Sequence, residues 1–208
     1  MGAMPNTSPR AAWNALKEGN ERFVEGNAEH PRQSVSYRTA LAVAQAPTAV
    51  IFGCSDSRVA AELIFDQGLG DTFVVRTAGH VMDAAVLGSI EYAVTVLQVP
   101  LVVVLGHDSC GAVSAALAAI KDGAIPGDFV RDVVEKVFPA ILMGQRNGLE
   151  RVDEFEELHV KETVAQLLAR SSAVGRGVVA GSLALVGVTY SLADGHARVV
   201  ETIGDIDA

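Results

Sequence analysis

Two cysteines and a histidine occupy matching places in this chain. Cys54 lies in Gly53-Cys54-Ser55-Asp56-Ser57-Arg58. His107 and Cys110 lie in Gly106-His107-Asp108-Ser109-Cys110-Gly111. Each hexapeptide follows a short apolar run rich in β formers, Thr48 to Gly53 and Leu101 to Gly106, so each reads as a tight turn at the carboxyl end of a buried strand. Thiolates and imidazole are the borderline-soft ligands that zinc takes in tetrahedral array. A structural site normally closes with four protein ligands, whereas three with an open fourth position is the catalytic pattern. Cys110 also opens a helical stretch, whose N-terminal dipole favours a thiolate. These are the only two cysteines. Inert buried thiols or a single disulfide are the plainer readings, but two matching strand ends with charged neighbours favour a metal.

Asp56 and Arg58 are those neighbours. On an open surface such a pair is an ion pair of little consequence. Beside a metal, Asp56 could take the fourth position and close the site. Alternatively, Arg58 could hold Asp56 in a two-pronged pair and leave that position to solvent, with Asp56 orienting it. Two thiolates cancel the formal charge of zinc, so this site should acidify water less strongly than a site of three histidines. Activity should therefore rise toward alkaline pH.

The surrounding elements must bring the two turns together. Thr72 to Arg76 and Leu183 to Tyr190 read as further strands, and Ala84 to Gln98 as a helix between the second and third strands. Residues 111–123, 128–145 and 154–170 read as helices, and Tyr37 to Gln45 as another. Strand–helix alternation implies an α/β fold with a mostly parallel, doubly wound sheet of about four strands flanked by helices. A turn at Leu192-Ala193-Asp194-Gly195 returns Arg198 to Ile203 as an antiparallel edge strand. Ligands bind such sheets beyond the carboxyl ends of strands where strand order reverses. If the first and third strands are neighbours, Cys54 faces His107 and Cys110 across that crevice. Ahead of the sheet, residues 9–27 read as an amphipathic helix capped by Ser8 with Pro9 at its first position. It packs on its own domain or, as the reading preferred here, lies as an arm across a partner subunit. The 208 residues form one domain, with 1–8 a flexible terminus.

Half the residues are hydrophobic and the net charge is −9, which supports a packed core and offers no electrostatic footprint for nucleic acid. No apolar run approaches the length of a membrane span, and the N-terminus lacks a secretory pattern. The expectation is a cytoplasmic enzyme with neither nucleic-acid nor membrane partners. No G-x-G-x-x-G follows the first strand and no C-x-x-C occurs, which argues against a dinucleotide-binding domain and a redox dithiol protein.

At Cys54-Ser55-Asp56-Ser57-Arg58-Val59 and Gly106-His107-Asp108-Ser109-Cys110-Gly111 the chain resembles the β-class carbonic anhydrases. Phe73-Val74-Val75-Arg76 and Ile90-Glu91-Tyr92-Ala93-Val94 extend the likeness, which runs from about Trp13 to the C-terminal hairpin. The resemblance implies zinc-dependent, reversible hydration of carbon dioxide to bicarbonate and a proton. It implies Cys54, His107 and Cys110 as zinc ligands, and Asp56 with Arg58 as a catalytic dyad, Asp56 joining the metal only in a closed form. It implies a homodimer with the cleft at the subunit interface, sometimes a dimer of dimers. Gln33 matches a glutamine that binds substrate in the cleft, and the backbone N–H of Gly111 could serve a substrate oxygen. The chain departs at one informative position, Ile51, where the branch regulated by a second bicarbonate site carries tryptophan. Val59 and Phe52 are candidate walls for carbon dioxide, and His30 and His80 candidate proton carriers by type alone. The competing readings are a non-catalytic zinc module and a hydrolase of carbon disulfide or carbonyl sulfide on the same fold.

Overall fold

The computed structural model describes residues 7–206, so residues 1–6 of the expected flexible terminus lie outside the described residues. Five strands form one sheet: β1 Ala49–Cys54, β2 Thr72–Thr77, β3 Leu101–His107, β4 Ala184–Tyr190 and β5 Ala197–Ile203. Their order is β2-β1-β3-β4-β5. The first four are parallel, and β5 runs antiparallel to β4 at the edge. The first and third strands are thus neighbours, and the chain leaves β1 toward opposite sides for β2 and β3.

Helices cover both faces: α1 Pro9–Val24, α2 Val35–Leu41, α3 Ala61–Ile64, α4 Ala84–Thr95, α5 Gly111–Asp122, α6 Asp128–Arg146, α7 Val152–Arg170 and α8 Ser172–Val179. Side chains alternate across the central strands with the period of two that a pleated sheet imposes. Ala49, Ile51, Leu101, Val103 and Leu105 join Trp13 and Ile64 on one face. Val50, Phe52, Val102 and Val104 join Ile90, Val160 and Leu167 on the other. Because both faces are covered, β1 and β3 are buried throughout, which is why they read as unbroken apolar runs. The short helices α3 and α8 carried no periodic pattern long enough to read. Ser171 starts α8 directly after α7, its hydroxyl accepting from the Val174 N–H and donating to Glu91.

The helix at 9–27 ends at Val24 and keeps its Ser8 cap, which accepts from the Ala11 N–H. Its inner face packs on its own domain. Trp13 and Leu16 are each 1% exposed within the chain's own core. Asn20 fixes the helix further, donating to the carbonyls of Ile64 and Gly195 and accepting from the Ala197 N–H. A Cβ on Gly19 would stand 1.9 Å from the Phe65 carbonyl oxygen, so α1 and α3 approach at backbone distance. On this face of the sheet α1 and the short α3 together supply the cover. Only the outer face of α1 is left for a neighbour.

The segment after α1 is clamped to the far side of α3. Buried Asp66 accepts from the N–H groups of Glu29 and His30 and from Arg22. Arg32 pairs with Asp71, which also accepts from the Gly68 N–H. These anchors set where Gln33 stands.

Candidate metal centre

β1 and β3 end side by side, and their last residues are Cys54 and His107. Cys110 follows three residues later as the residue capping α5. One ligand atom from each of Cys54, His107 and Cys110 lies within 4.8 Å of the other two, and all three residues are buried. His107 Nδ1 lies 2.7 Å from the Asp108 carbonyl. A proton on Nδ1 satisfies that contact and turns the Nε2 lone pair toward the sulfurs. Nε2 is buried and has no hydrogen-bond partner in the protein. A buried imidazole nitrogen without a partner, facing two thiols, fits a zinc ion in donor type and in number. Asp56 does not join the ligand set among the described residues.

Of the two arrangements open to Asp56, the structure holds the one with Arg58. Arg58 donates from Nε to Oδ1 at 2.9 Å and from Nη2 to Oδ2 at 2.7 Å, and its backbone N–H also reaches Oδ1 at 2.9 Å. The side chain of Asp56 is 18% exposed and that of Arg58 54%, so the carboxylate is sheltered while its partner faces solvent. The Arg58 hydrogen bonds hold the Asp56 carboxyl far below the ordinary carboxylate range, against a smaller effect of burial. The turn itself is fastened by Arg76, which donates from Nε to the Cys54 carbonyl and from Nη2 to the Asp56 carbonyl.

Neighbouring Cys110 and His107 draw the Cys54 pKa down against the effect of burial, while Cys54 and burial push Cys110 up. Burial alone would lower the His107 pKa, but the Cys54 thiolate and the Asp108 carbonyl raise it. Metal binding must therefore expel protons from this cluster.

Helix α7 supplies two groups absent from the sequence reading. Glu156 is buried and accepts from the Cys110 N–H at 2.7 Å. Burial pushes its pKa up to about 7, only partly offset by that hydrogen bond. His159, one turn on, lies 2.9 Å through Nε2 from the Gly79 carbonyl. Both residues lie among the apolar positions Phe155, Val160, Val164 and Leu167 of α7. Polar residues within an apolar stripe were the available signal.

Other expected residues fall elsewhere. Phe52 and Val59 are core side chains, nearly without exposure, so neither is established as a wall of the site. His30 is exposed at the Asp66 clamp. His80 is buried against His159, with both ring nitrogens unpartnered. Neither gives an evident proton route. Gln33 is exposed and borders a cleft with Glu62, Gln67 and Thr72. Thr72 begins β2 whereas Cys54 ends the parallel strand β1, so Gln33 sits at the opposite end of the sheet from its own chain's cysteines. Gly111 opens α5 next to Cys110, with open space around it. Ile51 is core.

Comparison with known proteins agrees with this geometry. A family model described as carbonic anhydrase matches residues 49–197. The chain is 71% identical over 203 residues to carbonic anhydrase 2 of Mycobacterium tuberculosis, covering 98% of each. It is 64% identical to a carbonic anhydrase of Mycolicibacterium smegmatis, again with 98% of each covered. Among solved structures, the Coccomyxa β-carbonic anhydrase in complex with acetazolamide superposes with a TM-score of 0.74 at 26% identity, covering 89% of this chain and 85% of that one. A β-carbonic anhydrase of Aspergillus fumigatus gives 0.71 at 29%, covering 90% and 89%.

Proposed function

Since this chain belongs to the β-class carbonic anhydrase family, we propose that Asp56, Arg58 and Gly111, with Gln33 from a second copy, serve its reaction at the Cys54–His107–Cys110 centre. The reaction is the zinc-dependent, reversible hydration of carbon dioxide to bicarbonate and a proton. When bound, zinc supplies the Lewis acidity that makes water a nucleophile near neutral pH.

The protein's own groups do the rest. Asp56, kept charged by Arg58, accepts a hydrogen bond from the attacking water and aims its lone pair at carbon dioxide. It is too weak a base to keep the proton, so the proton passes on to solvent. The Gly111 N–H, unpaired within the first turn of a 12-residue helix, donates to an oxygen of the forming bicarbonate. Asp56 leaves Arg58 and closes the site only if the salt bridge breaks.

Gln33 cannot serve the site of its own chain, so its role requires a homodimer, in which a second copy carries it to the cleft. The surface near it offers exposed apolar groups: Val35 is 68% and Val43 91% exposed in and beside α2, none of whose residues is buried. A dimer of dimers is the natural extension. Two free thiols fit a reducing, cytoplasmic setting, and no described helix is long and apolar enough to cross a membrane.

The convergence of three zinc-type ligands beside a fixed Asp56–Arg58 pair carries this reading. Stopped-flow hydration with metal analysis tests it. Cys54→Ser should lose zinc and activity together, whereas Asp56→Asn should keep one zinc per chain and lose at least about tenfold in turnover. Full hydration by metal-free Cys54→Ser protein overturns it.

A further inference from the structure

The sulfur of Cys54 accepts a hydrogen bond from the Gly79 N–H at 3.3 Å. Gly79 belongs to the tight turn Ala78–His80, between β2 and α4. Its backbone is left-handed, with φ 62° and ψ 22°, and His80 beside it has φ 42°. Two consecutive left-handed residues, one of them not glycine, are costly unless their surroundings enforce them. A Cβ at Gly79 would also stand 2.5 Å from the Ala112 Cβ on α5.

The enforcing contacts come largely from α7. His159 lies at 2.9 Å from the Gly79 carbonyl, buried where water cannot substitute. Its ring stacks on that of His80, with centroids 4.3 Å apart and planes at 31°. Thr163 donates to the His159 carbonyl, and Thr77 closes the turn by donating to the Val81 carbonyl. Burial lowers the pKa of both imidazoles, so both are neutral near pH 7. A neutral His159 facing a carbonyl carries its proton on Nε2 and is the donor.

We propose that His159 is a positioning residue for the metal centre: by holding the Gly79 turn, it directs the Gly79 amide onto Cys54 and so limits how strongly that thiolate donates to zinc. This rests on the zinc reading above. With two thiolates the site has a formal charge near zero, which makes water hard to ionise. An N–H bond to sulfur draws electron density off the thiolate and leaves the metal more electropositive. His159 touches neither metal nor substrate and acts only through the peptide backbone.

The test uses His159→Phe, which keeps the ring and loses the donor, and His159→Gln, whose amide can restore it. Each protein is loaded with zinc for assay and cobalt(II) for spectroscopy. His159→Phe should shift the thiolate-to-cobalt charge-transfer band to lower energy and move the midpoint of the pH–rate profile upward. The more strongly donating thiolate should also slow zinc release to a chelator, by about tenfold. His159→Gln should return all three toward the parent values. In parent protein loaded with cadmium-113, the Gly79 amide proton should show scalar coupling to the metal through the sulfur, a measurement that needs no variant. Parent protein that binds no zinc would overturn the zinc reading itself. Parent protein that binds zinc but shows no such coupling, or a His159→Phe band and midpoint equal to the parent's, would overturn only the role of His159.

Discussion

At the scale of single residues, the three side chains of the candidate metal centre depend on distinct supports. His107 is oriented by the Asp108 carbonyl, Cys54 receives the Gly79 amide, and Cys110 has its N–H accepted by Glu156. Glu156 has a consequence for stability. Its pKa rises from the ordinary 4.5 to about 7 in the fold, chiefly through burial. Below pH 4.5 it is protonated in both states and folding is unaffected by it. As pH rises toward 7 the unfolded chain gives up a proton that the folded chain keeps, so stability falls across that window. Glu156→Gln keeps an acceptor for Cys110 and should flatten this fall; urea denaturation at pH 5 and pH 7 would measure it. Glu156→Ala leaves a buried N–H without an acceptor and should cost about 1–3 kcal/mol at either pH.

At the scale of elements, α7 supports the site because it lies unusually close to the sheet. A Cβ on Gly106 of β3 would stand 2.3 Å from Val160 Cγ2, and one on Gly187 of β4 would stand 2.9 Å from Val160 Cγ1. Val160 therefore seats in a notch left by two glycines, which brings Glu156 and His159 down to the ends of β1 and β3. Gly106→Ala should lift α7, cost about 1–3 kcal/mol by overpacking, and weaken zinc retention although it alters no ligand. Thermal melting and metal content together check this. A loss of stability with zinc affinity unchanged would separate α7 from the site.

At the scale of the molecule, Gln33 and the Cys54–His107–Cys110 cluster of one chain lie at opposite ends of its sheet. If the reaction needs both, each site draws on two chains. Gln33→Ala and Cys54→Ser homodimers should each be impaired, the second fully. A heterodimer formed by unfolding and refolding them together restores one site with every residue intact, so the mixture should exceed the summed activity of its parents. Activity equal to that sum would remove Gln33 from the cleft.

Much of this was legible from the chain alone. The candidate ligand types, their place just after apolar runs, the five strands, the cap at Ser8 and the helix start at Cys110 depend on short-range chemistry and periodicity, which a linear sequence displays. Arg58 lies two residues from Asp56, so the pair was visible. Folding alone decided its geometry, by closing three hydrogen bonds on one carboxylate. It also decided that α1 covers its own sheet, because Asn20 finds partners 44 and 175 residues away. Glu156 reaches a backbone group 46 residues distant and His159 one 80 residues distant. Such contacts follow from where a packed helix lands, and two glycines in the sheet set that position.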